Sequence, residues 1–397
     1  MWRRGLVYFT LSVAGMAAPA AAQRPDSAVT AMLAPGIVHR RLLVGQGPWS
    51  VNVVEVDLRI PGISVRGARA DDKLRGRETV SSMVRRRNTD SATVVAAINA
   101  DFFNLKTGED ENNQVIEGEI WKGVPATWTP NDTGHHVHSQ FAVAGSGRPL
   151  IEQLVFRGTV IRTGGARVPL DAINNRGGST GAVLYTSRIG ATTPWDSAGA
   201  TVDVRLRYVA SKGDTSIYQV TSYPLAGGTA SLDGGPVLSF PISLDTARNL
   251  PHPGETIRIQ TNLQPAPLGL RTVVGGWPRL VVHGASVADT INRAEGGFSK
   301  SFAGRNPRTG VGFSRDSTTL YLITVDGRQE GSDGMSLTEF ADFMIRIGVY
   351  EGLNLDGGGS TAMVINGALV NTPSDKANGR SVERTVGNAL LVVMRKP

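Results

Sequence analysis

Apolar and polar positions alternate along Ser50-Val51-Asn52-Val53-Val54-Glu55-Val56-Asp57-Leu58, the period of two that a strand requires, and residues 37–70 as a whole predict strands. The stretch ahead of them, Arg24 to Pro35, reads as a short linker. The period then lengthens. Val80, Met83, Val84 and Arg87 recur at helical spacing and predict a helix over 78–87. The β-branched, apolar run 92–98 follows and predicts a buried strand ending in Asn99-Ala100-Asp101-Phe102-Phe103. From Leu150 to about Pro267, short runs rich in Thr and Val, broken by Gly and Pro, predict β-structure with few helices.

The C-terminal third is the most legible. Residues 309–314 and 318–325 predict a hairpin across Arg315-Asp316-Ser317. Ser336-Leu337-Thr338-Glu339 has the form of a capping box, in which a hydroxyl and a carboxylate satisfy the free N–H groups at a helix start. Leu337, Phe340, Met344 and Ile347 then supply an apolar stripe, and Gly348 ends the helix. Leu353-Asn354-Leu355 predicts a short strand entering Asp356-Gly357-Gly358-Gly359-Ser360-Thr361, and 362–365 pairs with 368–370 across the turn dipeptide Asn366-Gly367. Helix, strand and Asn-x-Asp thus occur twice, before Asp101 and before Asp356.

Composition narrows the classes. The N-terminus has the order of a secretory signal peptide over 1–22, with Arg3-Arg4, an apolar run from Gly5 to Pro19 and Ala20-Ala21-Ala22, so an exported, periplasmic or secreted protein is expected. No later run approaches the roughly 20 residues of a membrane helix, so no membrane span is expected after signal cleavage. The 397 residues contain no cysteine, which removes thiol catalysis and cysteine metal sites. A formal charge of +7, carried mostly by arginine, suits anionic partners such as phosphate-bearing substrates. Nucleic acid is not expected as a partner, because the basic residues are scattered and no nucleic-acid-binding motif occurs.

Three predicted strands end in polar clusters, at Asn99-Ala100-Asp101, Asp326-Gly327-Arg328 and Asp356 with its glycines, and ligand crevices lie beyond such strand ends. Each cluster alone is also an ordinary turn composition. The bare backbone of Gly357, Gly358 and Gly359 would let N–H groups approach a phosphate or sugar oxygen, with the hydroxyls of Ser360 and Thr361 beside them. Arg308, Arg328 and Arg380 are candidate phosphate clamps, since a guanidinium fork matches phosphate in two hydrogen bonds.

In this order Val95-Ala96-Ala97-Ile98-Asn99-Ala100-Asp101-Phe102-Phe103, Pro278-Arg279-Leu280-Val281-Val282-His283-Gly284, Arg308-Thr309-Gly310-Val311-Gly312, Val325-Asp326-Gly327-Arg328 and Leu353-Asn354-Leu355-Asp356-Gly357-Gly358-Gly359-Ser360 resemble the phosphodiester glycosidase family. The likeness places an N-terminal β region at 23–74 and such a domain at 75–397, with a divergent β-rich segment near 190–270. The resemblance implies hydrolysis of a sugar-1-phosphodiester, with Asn99, Arg308, Asp326, Asp356 and the adjacent glycines lining the site. Asp101 departs from the family, where a small residue is frequent. With the resemblance, the expected architecture is α+β: a mixed, largely antiparallel sheet with flanking helices and a β-rich middle region.

The chemistry fits. Cleaving a sugar C1–O bond passes through an oxocarbenium-like state, which a carboxylate stabilises or relieves by activating water, and Asp326 and Asp356 are the catalytic candidates. A phosphate monoester has a second pKa near 6 and leaves with little general-acid help. The expected substrate is a phosphorylated glycan or sugar phosphate. No cofactor is required, and a divalent metal is left open. Three rivals stand beside this reading. Gly177-Gly178-Ser179-Thr180-Gly181 matches a nucleophile elbow but lacks the following helix. His135-His136-Val137-His138 offers imidazoles without a complete ligand motif. A non-catalytic, exported glycan-binding or cell-envelope protein would keep the same fold.

Overall fold

The alternating run becomes the strand Trp49–Asp57, and its two faces are both buried. Val51 and Val53 point into one core, Val54 and Val56 into another. In the computed structural model, which describes residues 26–45, 47–125, 138–175, 181–194, 201–223, 229–241, 250–266, 269–289, 295 and 299–396, this strand lies inside an eight-stranded sheet. The expected signal peptide, the serine of the elbow-like motif, and His135 and His136 lie outside the described residues.

Next to Trp49–Asp57 in that sheet run Thr319–Val325, Arg308–Phe313 and Glu351–Leu355, all antiparallel. A second sheet of five strands is built around Ala92–Asn99, flanked by Met363–Ile365 and Asn388–Arg395. The two sheets pack face to face through Val54, Val56, Val95, Ile98, Leu322, Leu353, Leu355, Leu390 and Val392. Helix α1 (Val80–Arg87) covers the outer face of the smaller sheet with Val80, Met83 and Val84. Among the described residues two further α-helices follow, α2 (Lys300–Ala303) and α3 (Leu337–Arg346), and α3 covers the outer face of the larger sheet. The result is four layers, helix on sheet on sheet on helix.

Local chemistry explains these elements. Ser336 and Glu339 form the reciprocal capping box at the start of α3, with Glu339 N donating to Ser336 Oγ at 3.2 Å and Ser336 N to the Glu339 carboxylate at 2.8 Å. Phe340 and Met344 can sit on the sheet because residue 310 is glycine: a Cβ there would stand 2.7 Å from the Phe340 ring. Asn366 and Gly367 take φ of 49° and 82°, as a two-residue hairpin between Met363–Ile365 and Ala368–Leu369 requires.

The middle region closes on itself. Seven strands, from Val155–Ile161 to Thr256–Gln264, form a closed barrel whose core is shared with a five-stranded sheet containing Gln114–Ile116, Gln140–Ala144 and Leu270–Gly275. Among the described residues its one parallel pair is Arg167–Ile173 with Ala182–Tyr185. The architecture therefore differs from the expected α+β class. It is mostly β, with several antiparallel sheets and a barrel, because the described helices are few and none exceeds ten residues. The supposed linker is also a strand, Ser27–Ala34, paired with Ile37–Val44 as an exposed edge of the larger sheet. It buries little, so no buried periodicity marked it.

Packing of α3 is measurable. Phe340→Ala, at a fully buried position, is expected to cost about 3–5 kcal/mol, and Ser336→Ala about 1 kcal/mol. Urea unfolding of both variants checks the order and the size.

Candidate active site

Antiparallel pairing puts Arg308, the first residue of its strand, opposite Val325, and Thr309 opposite Leu355. One edge of the larger sheet therefore carries Arg308, Asp326 and Asp356 together. The smaller sheet brings the end of Ala92–Asn99 to the same place. Asn99 Nδ2 donates to the Asp356 carbonyl at 2.6 Å, and its Oδ1 accepts from Thr309 Oγ1 at 2.8 Å and Ala362 N at 3.1 Å. Asp356 N donates to the Ala100 carbonyl at 2.8 Å. The three strand ends singled out in the sequence meet in one region.

The carboxylates there differ in how they are held. Burial pushes the half-buried Asp356 carboxyl up to about 7, although the Ser360 hydroxyl, Arg384 and the Gly357 amide favour its ionised form, while Glu111 opposes it. Glu111 is also raised by burial, and its backbone N donates to Phe102 O at 2.9 Å, two residues from the carbonyl that holds Asp356. Sequence reasoning passed over Glu111, whose signal was the polar run Glu109-Asp110-Glu111-Asn112-Asn113 after the Asn99–Phe103 motif. Asp326 is more buried and both its oxygens are occupied, by Ser50 Oγ at 3.1 Å, Thr372 N at 3.0 Å and Asn371 Nδ2 at 3.3 Å. Burial raises its pKa and these bonds restrain the rise. Asn371 also donates to Thr361 O at 3.0 Å, which ties Asp326 to the glycine loop. Asp101 is buried too. Asn112 takes both its oxygens, at 2.7 and 3.1 Å, so its carboxylate braces the neighbouring segment.

Part of the glycine loop's backbone is already engaged within the chain. The amides of Gly358, Ser360 and Thr361 already donate to backbone carbonyls at 2.9, 3.1 and 3.3 Å, so they are not a free cradle. What the missing side chains admit is guanidinium groups. A Cβ on Gly358 would sit 3.4 Å from Arg328, and one on Gly359 would run into Arg384 and Asp375. Arg384, which the sequence reading missed, is held by Asp375 through two bonds at 2.7 and 2.8 Å and reaches Ser360 Oγ at 3.4 Å. Arg380 instead lies on the exposed strand Arg380–Ser381; among the described residues no hydrogen bond or ion pair joins it to the loop.

Arg308 is the unusual charge. It is almost fully buried, with Nε donating to Met335 O at 2.9 Å and one terminal nitrogen to Phe302 O and Gly304 O, both at 2.7 Å. Among the described residues no carboxylate pairs with it or with Arg328, whose bond at 2.7 Å goes to the Asn306 side-chain oxygen. Burial, and then Arg328, push the Arg308 pKa down to about 10. Its guanidinium also lies 5.5 Å from the Phe302 ring centre, and Phe302 stacks on Trp277 at 4.8 Å, with Phe102 edge-on to Trp277 at 6.1 Å. The buried Arg308 and the exposed Arg328, neither with a carboxylate partner among the described residues, lie against the glycine loop that follows Asp356, an arrangement suited to an anionic ester. His138 stacks on Trp277 at 5.3 Å, and among the described residues no group of three or more His, Asp or Glu is placed to hold a metal.

Residues 208–393 match the family model described as phosphodiester glycosidase. That span contains Arg308, Asp326, Arg328, Asp356 and Arg384, and leaves out Asn99, Asp101 and Glu111. Over 80 residues the chain is 42% identical to a Mus musculus N-acetylglucosamine-1-phosphodiester alpha-N-acetylglucosaminidase, a stretch that is 20% of this chain and 15% of the mouse protein. The chain therefore matches only a small part of that curated relative. Its fold is similar to that of a Synechocystis protein of undefined role, at TM-score 0.70 and 22% identity over 94% of this chain and 65% of the other. A candidate exported protein of Burkholderia pseudomallei K96243 is similar at TM-score 0.64 and 22% identity, over 89% of this chain and 77% of the other.

The raised Asp356 pKa has a signed consequence for stability. The folded protein binds this proton more tightly than the unfolded chain, so the contribution is complete below the ordinary value of 3.8 and is lost as pH rises through about 7. Asp356→Asn removes that loss. Its stability relative to the native protein should rise between pH 4 and 8, by on the order of 2 kcal/mol after allowing for solvent screening of a half-buried group. Thermal unfolding across that range checks it, and a constant difference would remove the raised pKa.

Proposed function

We propose that this chain, similar to the phosphodiester glycosidase family over residues 208–393, hydrolyses sugar-1-phosphodiesters, with Asp356 as the catalytic carboxylate and Arg308 and Arg328 as the phosphate site. The observation that carries the reading is that two arginines without carboxylate partners among the described residues, Arg308 and Arg328, lie against the glycine loop that follows Asp356. Their guanidinium groups, buried on Arg308 and exposed on Arg328, stabilise the negative charge that grows on a departing phosphate. Arg308 needs little realignment at the moment of reaction, because carbonyls of Phe302, Gly304 and Met335 already fix it.

Asp356 suits a general base, whose efficiency is greatest when its pKa lies near the working pH. It takes one proton from a water molecule whose oxygen bonds to sugar C1. The C1–O electron pair leaves with the phosphate monoester, which departs without a strong acid because its charge is spread over oxygens facing the arginines. Glu111 keeps Asp356 from ionising too early, and Ser360 with Arg384 limits that effect. Asp326 and Asn99 are positioning residues in this reading, since their polar atoms are engaged in holding the loop and the two sheets. The proposed catalytic unit at 75–397 shares both of its packed sheets with strands of 23–74, which complete it. Export to the periplasm or medium is supported by the signal-like N-terminus, and among the described residues no helix is long and apolar enough to cross a membrane.

The test is release of free sugar and phosphomonoester from a panel of sugar-1-phosphodiesters that includes N-acetylglucosamine-α-phosphate esters. Asp356→Asn should lower kcat by about 10²–10⁴-fold. Arg328→Ala should lower kcat/KM by about 10–100-fold, the worth of a charged hydrogen bond. Activity should rise with pH through about 7, and Glu111→Gln should move that rise to lower pH. Absence of turnover across the panel sinks the reading.

A further inference from the structure

A cavity of about 790 Å³ opens at one end of the barrel, between the turn joining Thr201–Lys212 to Thr215–Ser222, the strand Thr256–Gln264 and the 114–122 hairpin. Its volume falls in the range of small-molecule sites, and barrel mouths are common places for them. None of its lining residues belongs to the region around Asp356. Ile259 and Leu263 supply an apolar wall, and Tyr208, 53% exposed and edge-on to Tyr218 at 5.8 Å, presents an aromatic rim.

The polar lining joins the carboxylates of Glu119 and Asp214 and the Asn262 amide to a set of Ser, Thr and Tyr hydroxyls that can donate or accept. The half-buried Asn262 lines the cavity, and its Oδ1 accepts no hydrogen bond from the described residues. Asp214 accepts from Gln260 and Thr215, both at 2.9 Å, and these bonds hold its carboxyl below the ordinary range, so it stays ionised. Arg188, the basic residue of the described lining, is committed elsewhere: it binds Glu119 through bonds at 2.7 and 3.2 Å and lies 4.0 Å over the Trp121 ring. Phosphate thus finds no free cation in this lining. A donor-rich, uncharged ligand with an apolar face finds an acceptor, a carboxylate and an aromatic ring.

We propose that the barrel cavity is a second binding site, for a neutral saccharide, in which hydroxyls donate to Asn262 and Asp214 and the C–H face of a pyranose packs on Tyr208. The pyranose is the ligand class that joins dense hydroxyl donors to an apolar face. The site would hold a glycan chain independently of what happens at Asp356.

Calorimetric titration of the full chain with maltohexaose, cellohexaose, mannohexaose and chitohexaose tests this. Expected is binding of at least one by the native protein and equally by Asp356→Asn, weakened by about tenfold or more in both Tyr208→Ala and Asn262→Leu. Inorganic phosphate should not compete. Tyr208 is largely exposed, so Tyr208→Ala keeps the fold, and Tyr208→Trp should keep the binding. The idea is overturned if none of the four binds, if both substitutions leave binding unchanged, or if phosphate or Asp356→Asn abolishes it. Spermidine bound in place of the sugars would overturn it as well. Turnover of a small soluble sugar-1-phosphodiester by the same samples separates the two readings, since the cavity variants should retain whatever rate the native protein shows.

Discussion

The side chain of Asn99 is the seam on which the two packed sheets depend. It sits at the end of a strand in the smaller sheet, yet its bonds reach Thr309 in the larger sheet, Ala362 beside its own sheet and the Asp356 carbonyl. A buried amide left unpaired costs about 1–3 kcal/mol per group, so the sheets are held in one relative register wherever all three bonds are to be made. Apolar contacts across the interface, such as Ile98 with Leu322 and Leu353 in one core, supply attraction but little direction. Asn99 supplies direction, and the loop that follows Asp356 inherits it.

Charges inside the molecule are arranged in two contrasting ways. Beneath the segment 108–113, Arg69, Asp110, Lys122 and Glu109 form a buried, paired network, and Asp101 is bound to Asn112 beside it. There each ion has a partner, which is what burial ordinarily demands. Arg308 and Arg328 have carbonyl and amide acceptors in place of carboxylates. The first arrangement fixes the segment that carries Glu111; the second leaves positive charge without a carboxylate partner at the end of the sheet where the anion site is proposed.

How much could be read from the chain follows from how local each signal is. The capping box at Ser336 and Glu339, the Asn366-Gly367 turn and the strand ends at Asn99, Asp326 and Asp356 are encoded within a few residues, and the structure has them in those forms. The strand Ser27–Ala34 escaped notice because an exposed edge buries almost nothing and carries no inward stripe. Glu111 and Arg384 escaped because their relation to Asp356 is made by folding: Glu111 arrives through backbone pairing with Phe102, and Arg384 through Asp375. Closure of the barrel joins Val155–Ile161 to Thr256–Gln264, strands about a hundred residues apart, and no short pattern marks such a pairing. The few helices likewise reflect a chain whose middle third closes into β-structure.

The uncompensated arginines make the surrounding medium a participant in folding. If Arg308 and Arg328 hold an anion as proposed, that anion would bind the native chain and have no equivalent site on the unfolded one, so its concentration would enter the stability by mass action. Chains kept in phosphate or sulfate and chains kept in chloride are then different thermodynamic species, although their covalent structures are the same. A fold with such a site would carry a built-in solute dependence at the place where its proposed chemistry is concentrated.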